Sequence, residues 1–80
     1  MSDQFRLTVR EMEILRLIAR GYVNKQIARD FHISEQATKN HISRILKKLD
    51  VVNRTEAVVK ASQAGLISLD AETVDQAAVK

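Results

Sequence analysis

Between Glu35 and Leu49 the polar residues Gln36, Lys39, Asn40 and Ser43 recur at steps of three and four, and Arg44, Lys47 and Lys48 continue the series. At 3.6 residues per turn, this spacing places them on the outward side of a helix. Their chemistry is that of base-edge hydrogen bonding: lysine donates to guanine O6 and N7, and asparagine pairs both ways with adenine N6 and N7. An α-helix, moreover, fits the major groove of B-DNA. Taken one at a time, these residues are the wet side of a core helix. Taken together, they read as a face for nucleic acid.

Other chemistry is poorly served. The 80 residues include no cysteine, which removes a disulfide framework and a thiolate zinc site, and only His32 and His41 offer imidazole. Neither a metal nor a cofactor is expected. A chain of this length buries roughly 60–65% of its unfolded surface, leaving no volume for a deep substrate cavity, so an enzyme is not expected. The neighbouring acids Glu11 and Glu13 read as helix-start charges favoured by the helix dipole. Apolar runs reach only two or three residues, and Met1-Ser2-Asp3-Gln4 lacks the apolar stretch of a signal peptide. The expected compartment is the cytoplasm, with no membrane partner.

The elements that position the polar face follow from punctuation and periodicity. No stretch alternates with period two for long, there is no proline, and only two glycines interrupt the chain, which predicts an all-α fold. Thr8-Val9-Arg10-Glu11 is a capping box, with Leu7 as a hydrophobic staple on Met12. It opens a helix running to about Arg20, with Met12, Leu15, Ile18 and Ala19 inward, Ile14 and Leu17 widening the stripe, and Gly21 as its stop. Asn24 is the expected N-cap of a short second helix through Phe31, with Ile27, Ala28 and Phe31 inward. His32-Ile33-Ser34 is a tight turn in which Ile33 plugs the core and Ser34 caps the third helix, about Glu35 to Leu49. Thr38, His41, Ile42, Ile45, Leu46 and Leu49 form its inward side. Asn53-Arg54-Thr55-Glu56 repeats the capping logic and opens a fourth helix, with Ala57, Val58, Ala61 and Ala64 inward and Gly65 closing it. Leu66, Ile67 and Leu69 fold back. Residues 1–6 are expected to be a linker or disordered, 7–69 the domain, and 70–80 a frayed acidic tail.

Charge follows the same division. Residues 1–60 carry 12 Lys/Arg against 7 Asp/Glu, and residues 61–80 carry one Lys against three acids. A basic folded part fits a polyanion, and equally a solvated surface of mixed charge. Two helices joined by a short turn, the second with a polar and basic outer face, have the geometry of a helix-turn-helix.

The stretches Leu7-Thr8-Val9-Arg10-Glu11-Met12-Glu13-Ile14-Leu15, Ala19-Arg20-Gly21-Tyr22-Val23-Asn24-Lys25-Gln26-Ile27-Ala28, Ile33-Ser34, Lys39-Asn40-His41, Lys48-Leu49-Asp50-Val51 and Arg54-Thr55-Glu56-Ala57-Val58 closely resemble the C-terminal DNA-binding domain of LuxR/FixJ-type bacterial transcription regulators. The resemblance covers about residues 7–69 and keeps several motifs in order and distance. It implies a four-helix domain with the second and third helices as the helix-turn-helix. It also implies double-stranded promoter DNA as partner, a weak homodimer through the fourth helix on an inverted repeat, and control as in response regulators. Gln36, Lys39, Asn40 and Ser43 fall at its base-reading positions. Thr8, Asn24, Lys25, Ser34, His41, Arg44 and Lys47 fall near its phosphate contacts, and Thr55, Val58, Val59 and Ser62 on its dimer surface.

The chain departs from this pattern at two places. Ala37-Thr38 stands where the family commonly has Thr followed by Val, so the Thr38 hydroxyl must find a carbonyl such as that of Ser34. Asp50 stands where the family usually has Gly or a small residue, and Asp tolerates the left-handed region. Lys47 and Lys48 also read as solvated, and Arg54 and Glu56 as local ion pairs. The rival to DNA binding is a protein-interaction module that docks RNA polymerase or a partner regulator. Whether the chain is free-standing or the output part of a longer regulator stays open at this point, as do its promoter and controlling signal.

Overall fold

The helices begin where the sequence supplies partners for their first backbone N–H groups. The computed structural model describes residues 5–68, and among these the fold is all-α: α1 (Val9–Ala19), α2 (Asn24–Phe31), α3 (Glu35–Leu49) and α4 (Arg54–Gln63). Leu69 and the acidic segment 70–80 lie outside the described residues. At α1 the capping box is complete, the Glu11 N–H donating to Thr8 Oγ1 at 3.0 Å and the Thr8 N–H to Glu11 Oε1 at 2.9 Å. Ser34 Oγ caps α3 through the Ala37 N–H at 2.9 Å, and Asn53 Oδ1 caps α4 through the Glu56 N–H at 2.8 Å.

Two starts differ from expectation. Asn24 does not cap α2; it is already helical, and the preceding residue is Val23, whose N–H donates to Gln26 Oε1 at 2.9 Å. The Asn24 amide oxygen is instead taken by the Arg54 guanidinium. At α4 the box is half made, because the Glu56 carboxylate reaches past Asn53 to the Val52 N–H at 3.1 Å. Gly21 and Gly65, at φ +90 and +79, stop α1 and α4 as expected. Helices α2 and α3 stop on His32 and Asp50 at φ 56 and 59, two residue types that accept the left-handed region more readily than most.

Helix α3 is the central element, packing against α1, α2 and α4, while α1 also packs against α4. Its buried stripe is Thr38, Ile42, Ile45 and Leu49, which meets Ile14, Leu15 and Ile18 of α1, Ile27 of α2 and Ala57 and Ala61 of α4 in one apolar cluster. Leu66 and Ile67 fold back into it. Ala64 was expected inward but is exposed at the C-cap of α4, where the chain turns away. Ile33 does not plug the core; it is only part-buried, since the turn that begins at His32 carries it to the margin. Phe5 and Arg6, assigned from the sequence to a linker, have partners: Phe5 packs on the apolar cluster and the Arg6 carbonyl accepts from Lys48.

Thr38 is fully buried, and its hydroxyl donates to the Ser34 carbonyl at 3.1 Å, the partner its position requires. That carbonyl already accepts the Thr38 N–H at 3.0 Å, so it stays satisfied without the hydroxyl. Thr38→Val is therefore expected to change stability by less than about 1 kcal/mol, read from urea unfolding curves.

Candidate nucleic-acid interface

Because one stripe of α3 is buried, the opposite side has to face solvent. Gln36, Lys39, Asn40, Ser43, Arg44 and Lys47 are all exposed there, as their spacing predicts. Gln36 Nε2 donates to Asn40 Oδ1 at 3.1 Å, an i,i+4 contact that orients the Asn40 amide before any ligand arrives. The face thus presents a lysine, a hydroxyl and two linked amides, with Arg44 and Lys47 further along.

The phosphate candidates fall into separate groups. Thr8, at the start of α1, is brought beside the C-terminal half of α3: Lys48 Nζ lies 2.7 Å from Glu11 Oε1 and 2.9 Å from the Arg6 carbonyl. The field of Arg44 also reaches Glu11. Ser34 and Lys25 are exposed at the starts of α3 and α2, the Ser34 hydroxyl engaged as a cap. His41 is part-buried on the border of the two faces, and its Nδ1 is shut from solvent without a hydrogen-bond partner. Asn24, the first residue of α2, is tied to α4: Arg54 Nη2 donates to its Oδ1 at 2.5 Å and Nη1 to the Tyr22 carbonyl at 3.5 Å.

Lys48 is not a solvated surface lysine but the partner of a carboxylate whose side chain is only 4% exposed. The pattern places Lys48 three residues after buried Ile45 and just before buried Leu49, at the border of the core stripe, but does not name its partner. Nor do Arg54 and Glu56 pair locally, because the capped start of α4 aims Arg54 at the α1–α2 turn and Glu56 at the Val52 N–H. Sequence reasoning missed Arg54 as a long-range tie, since nothing local announces a contact thirty residues away.

On α4, Thr55 and Val59 are exposed, Val59 at 47%, while Val58 and Ser62 are part-buried. Thr55, Val58 and Val59 line a shallow groove of about 260 Å³ with Ile18, Ala19, Gly21 and Arg54. Neither an acid nor an imidazole is among these lining residues. Among the described residues no group of three or more His, Asp or Glu is placed to hold a metal, and no helix is long and apolar enough to cross a membrane.

A four-helix arrangement with a short turn between α2 and α3, and a polar outer face on α3, defines a helix-turn-helix regulatory domain. The family model for GerE-type bacterial regulatory proteins of the luxR family matches residues 6–61, and the chain belongs to that family. This is a family of regulators rather than an enzyme class. Over 61 residues the chain is 56% identical to the response regulator protein VraR of Staphylococcus aureus and of Staphylococcus saprophyticus, covering 76% of this chain and 29% of the relative. It therefore spans less than a third of the length of these curated relatives. Among solved structures, the transcription factor GerE superposes with a TM-score of 0.74 at 41% identity, covering 79% of this chain and 94% of that one. The response regulator ChrA of a heme-sensing two-component system gives a TM-score of 0.74 at 44% identity, covering 76% of this chain and 30% of that one.

The Glu11–Lys48 contact makes stability depend on pH. Burial pushes the Glu11 carboxyl up, but the hydrogen bond from Lys48, the Thr8 N–H and the positive fields of Lys48 and Arg44 outweigh it and hold the group below its ordinary value of 4.5. A carboxyl lowered in the folded state adds stability above its unfolded value, and that contribution disappears as pH falls through the folded value. Glu11→Gln is expected to cost about 1–3 kcal/mol at neutral pH, less than a fully buried pair because Lys48 is partly exposed. Urea curves taken at falling pH should show wild type and variant converging below 4.5.

Proposed function

We propose that this chain binds double-stranded DNA sequence-specifically as the DNA-binding part of a bacterial transcription regulator, with α3 in the major groove. The observation that carries this reading is the division of α3: a packed inner stripe, and an exposed outer face of hydrogen-bonding and basic side chains in which Glu35, at the helix start, is the one acid. Lys39, Asn40, Ser43 and Gln36 form the base-reading face. Thr8, Asn24, Lys25, Ser34, His41, Arg44 and Lys47 hold or approach phosphates, aided by the free N–H groups at the starts of α1, α2 and α3. Residues 7–69 are the functional unit, working in the cytoplasm, with the acidic residues 70–80 at its boundary.

Two copies bind an inverted repeat through Thr55, Val58, Val59 and Ser62 of α4. The patch centred on Val59 is far smaller than the roughly 1,600 Å² of a standard interface, so the dimer forms mainly on DNA. RNA polymerase is a further partner once the domain is seated on a promoter. In a longer chain built like the response regulators, phosphorylation of a receiver would control access to this state.

Lys39→Ala is expected to weaken binding and relax base preference, because it removes donors to a base edge. Lys47→Ala should weaken all duplexes alike and flatten the salt dependence by about one phosphate contact. Titrations of both variants against a cognate and a scrambled duplex at several salt concentrations separate the two roles, and equal loss of preference in both would contradict them. On α4, Val59→Asp should leave affinity for a single half-site within about twofold and abolish cooperative filling of the inverted repeat, as measured by mobility shift on the two duplexes.

A further inference from the structure

At the start of helix α2 the Gln26 side chain takes the Val23 N–H, but no N-cap side chain reaches the first turn. Its N-cap is Val23, and no acidic residue stands in its first turn. From outside, a residue of α4 reaches that start. Arg54, part-buried and the first residue of α4, donates Nη2 to Asn24 Oδ1 at 2.5 Å and Nη1 to the Tyr22 carbonyl at 3.5 Å. Its own position is firm, because Asn53 caps α4 immediately before it. Arg54 also lines the groove shared with Thr55, Val58 and Val59.

The chemistry of this contact is directional. An asparagine amide has one oxygen and one NH2 group, so a cation that holds the oxygen leaves the two N–H donors pointing away from it. Donors, not acceptors, are what a phosphate oxygen requires, and the guanidinium adds a fixed positive charge beside them. We propose that Arg54 is a positioning residue for DNA: it orients Asn24 so that its NH2 group meets a backbone phosphate at the start of α2, and it ties that contact to the dimer helix α4. This inference rests on the DNA-binding reading above.

The test is a scan of neutral methylphosphonate replacements through a bound duplex, with wild type, Asn24→Ala, Arg54→Met and Arg54→Lys, each checked for folding by circular dichroism and thermal unfolding. For wild type, one or two replacements on the strand facing α2 should weaken binding about tenfold. The same replacements should cost almost nothing further in Asn24→Ala and in Arg54→Met, while the other phosphates keep their wild-type sensitivity. Arg54→Lys, which retains the charge and a donor, should recover part of the effect and serves alone if Arg54→Met fails to fold. Wild-type sensitivity at these phosphates in Arg54→Met, or in Arg54→Lys a pattern identical to wild type with no partial loss, overturns the proposal. Sensitivity lost in Arg54→Met but kept in Asn24→Ala also overturns it, since Arg54 would then touch the phosphate itself. Failure of the wild-type chain to bind any duplex at low salt would instead remove the DNA-binding reading, and the inference with it.

Discussion

Helix α3 can offer one face to an outside ligand only if the rest of it is held, and the least replaceable hold is the buried carboxylate of Glu11. One oxygen of that group accepts both the Thr8 N–H and the Lys48 ammonium, at 2.9 and 2.7 Å. It thereby ends the unsatisfied start of α1 and pins the last turns of α3 with the same atom. Lys48 adds a bond to the Arg6 carbonyl, so the chain entering α1 is held as well. Removing either partner leaves a desolvated charge or an open helix start, which is why the contact matters more than its area suggests. Around it the apolar stripe of α3 provides bulk stabilisation, and the capped starts of α1, α3 and α4 set where each helix begins.

Much of this was legible from the chain itself. The helix limits followed from Thr8, Ser34 and Asn53 as caps and Gly21 and Gly65 as stops, and the two faces of α3 followed from spacing alone. Thr38 is instructive, because its hydroxyl found the carbonyl that local geometry offers to a helical threonine. What escaped was of another kind. The Arg54 tie to Asn24 and the Lys48 tie to Glu11 join residues distant in sequence, and periodicity says nothing about which charged residues meet across a core. Ile33 and Ala64 were placed inward for their apolarity, yet each sits where the backbone is leaving a helix or turn, and burial there depends on the path of the chain rather than on side-chain type.

The basic surplus of the first sixty residues also resolves into parts with different duties. Lys48 and Arg54 are internal fasteners, each with a named acceptor. Arg10 lies 4.4 Å from the centre of the Phe31 ring and bridges α1 to α2. Lys39, Arg44 and Lys47 remain on the open face of α3. Net charge therefore overstates the polyanion-binding capacity, and the position of each cation is the better guide. The groove beside Thr55, Val58 and Val59 of α4 and the start of α2 meet at Arg54, which belongs to both.

The central claim is that the open face of α3 reads sequence and does so in two-fold pairs. The most direct measurement is to sequence the fragments that the purified chain retains from a random pool of duplex DNA at moderate salt. The account predicts an enriched motif with two-fold symmetry, its half-sites centred about one helical turn, roughly 10 base pairs, or a multiple of it apart. Retention of duplexes that share no motif, or no retention even at low salt, would contradict it.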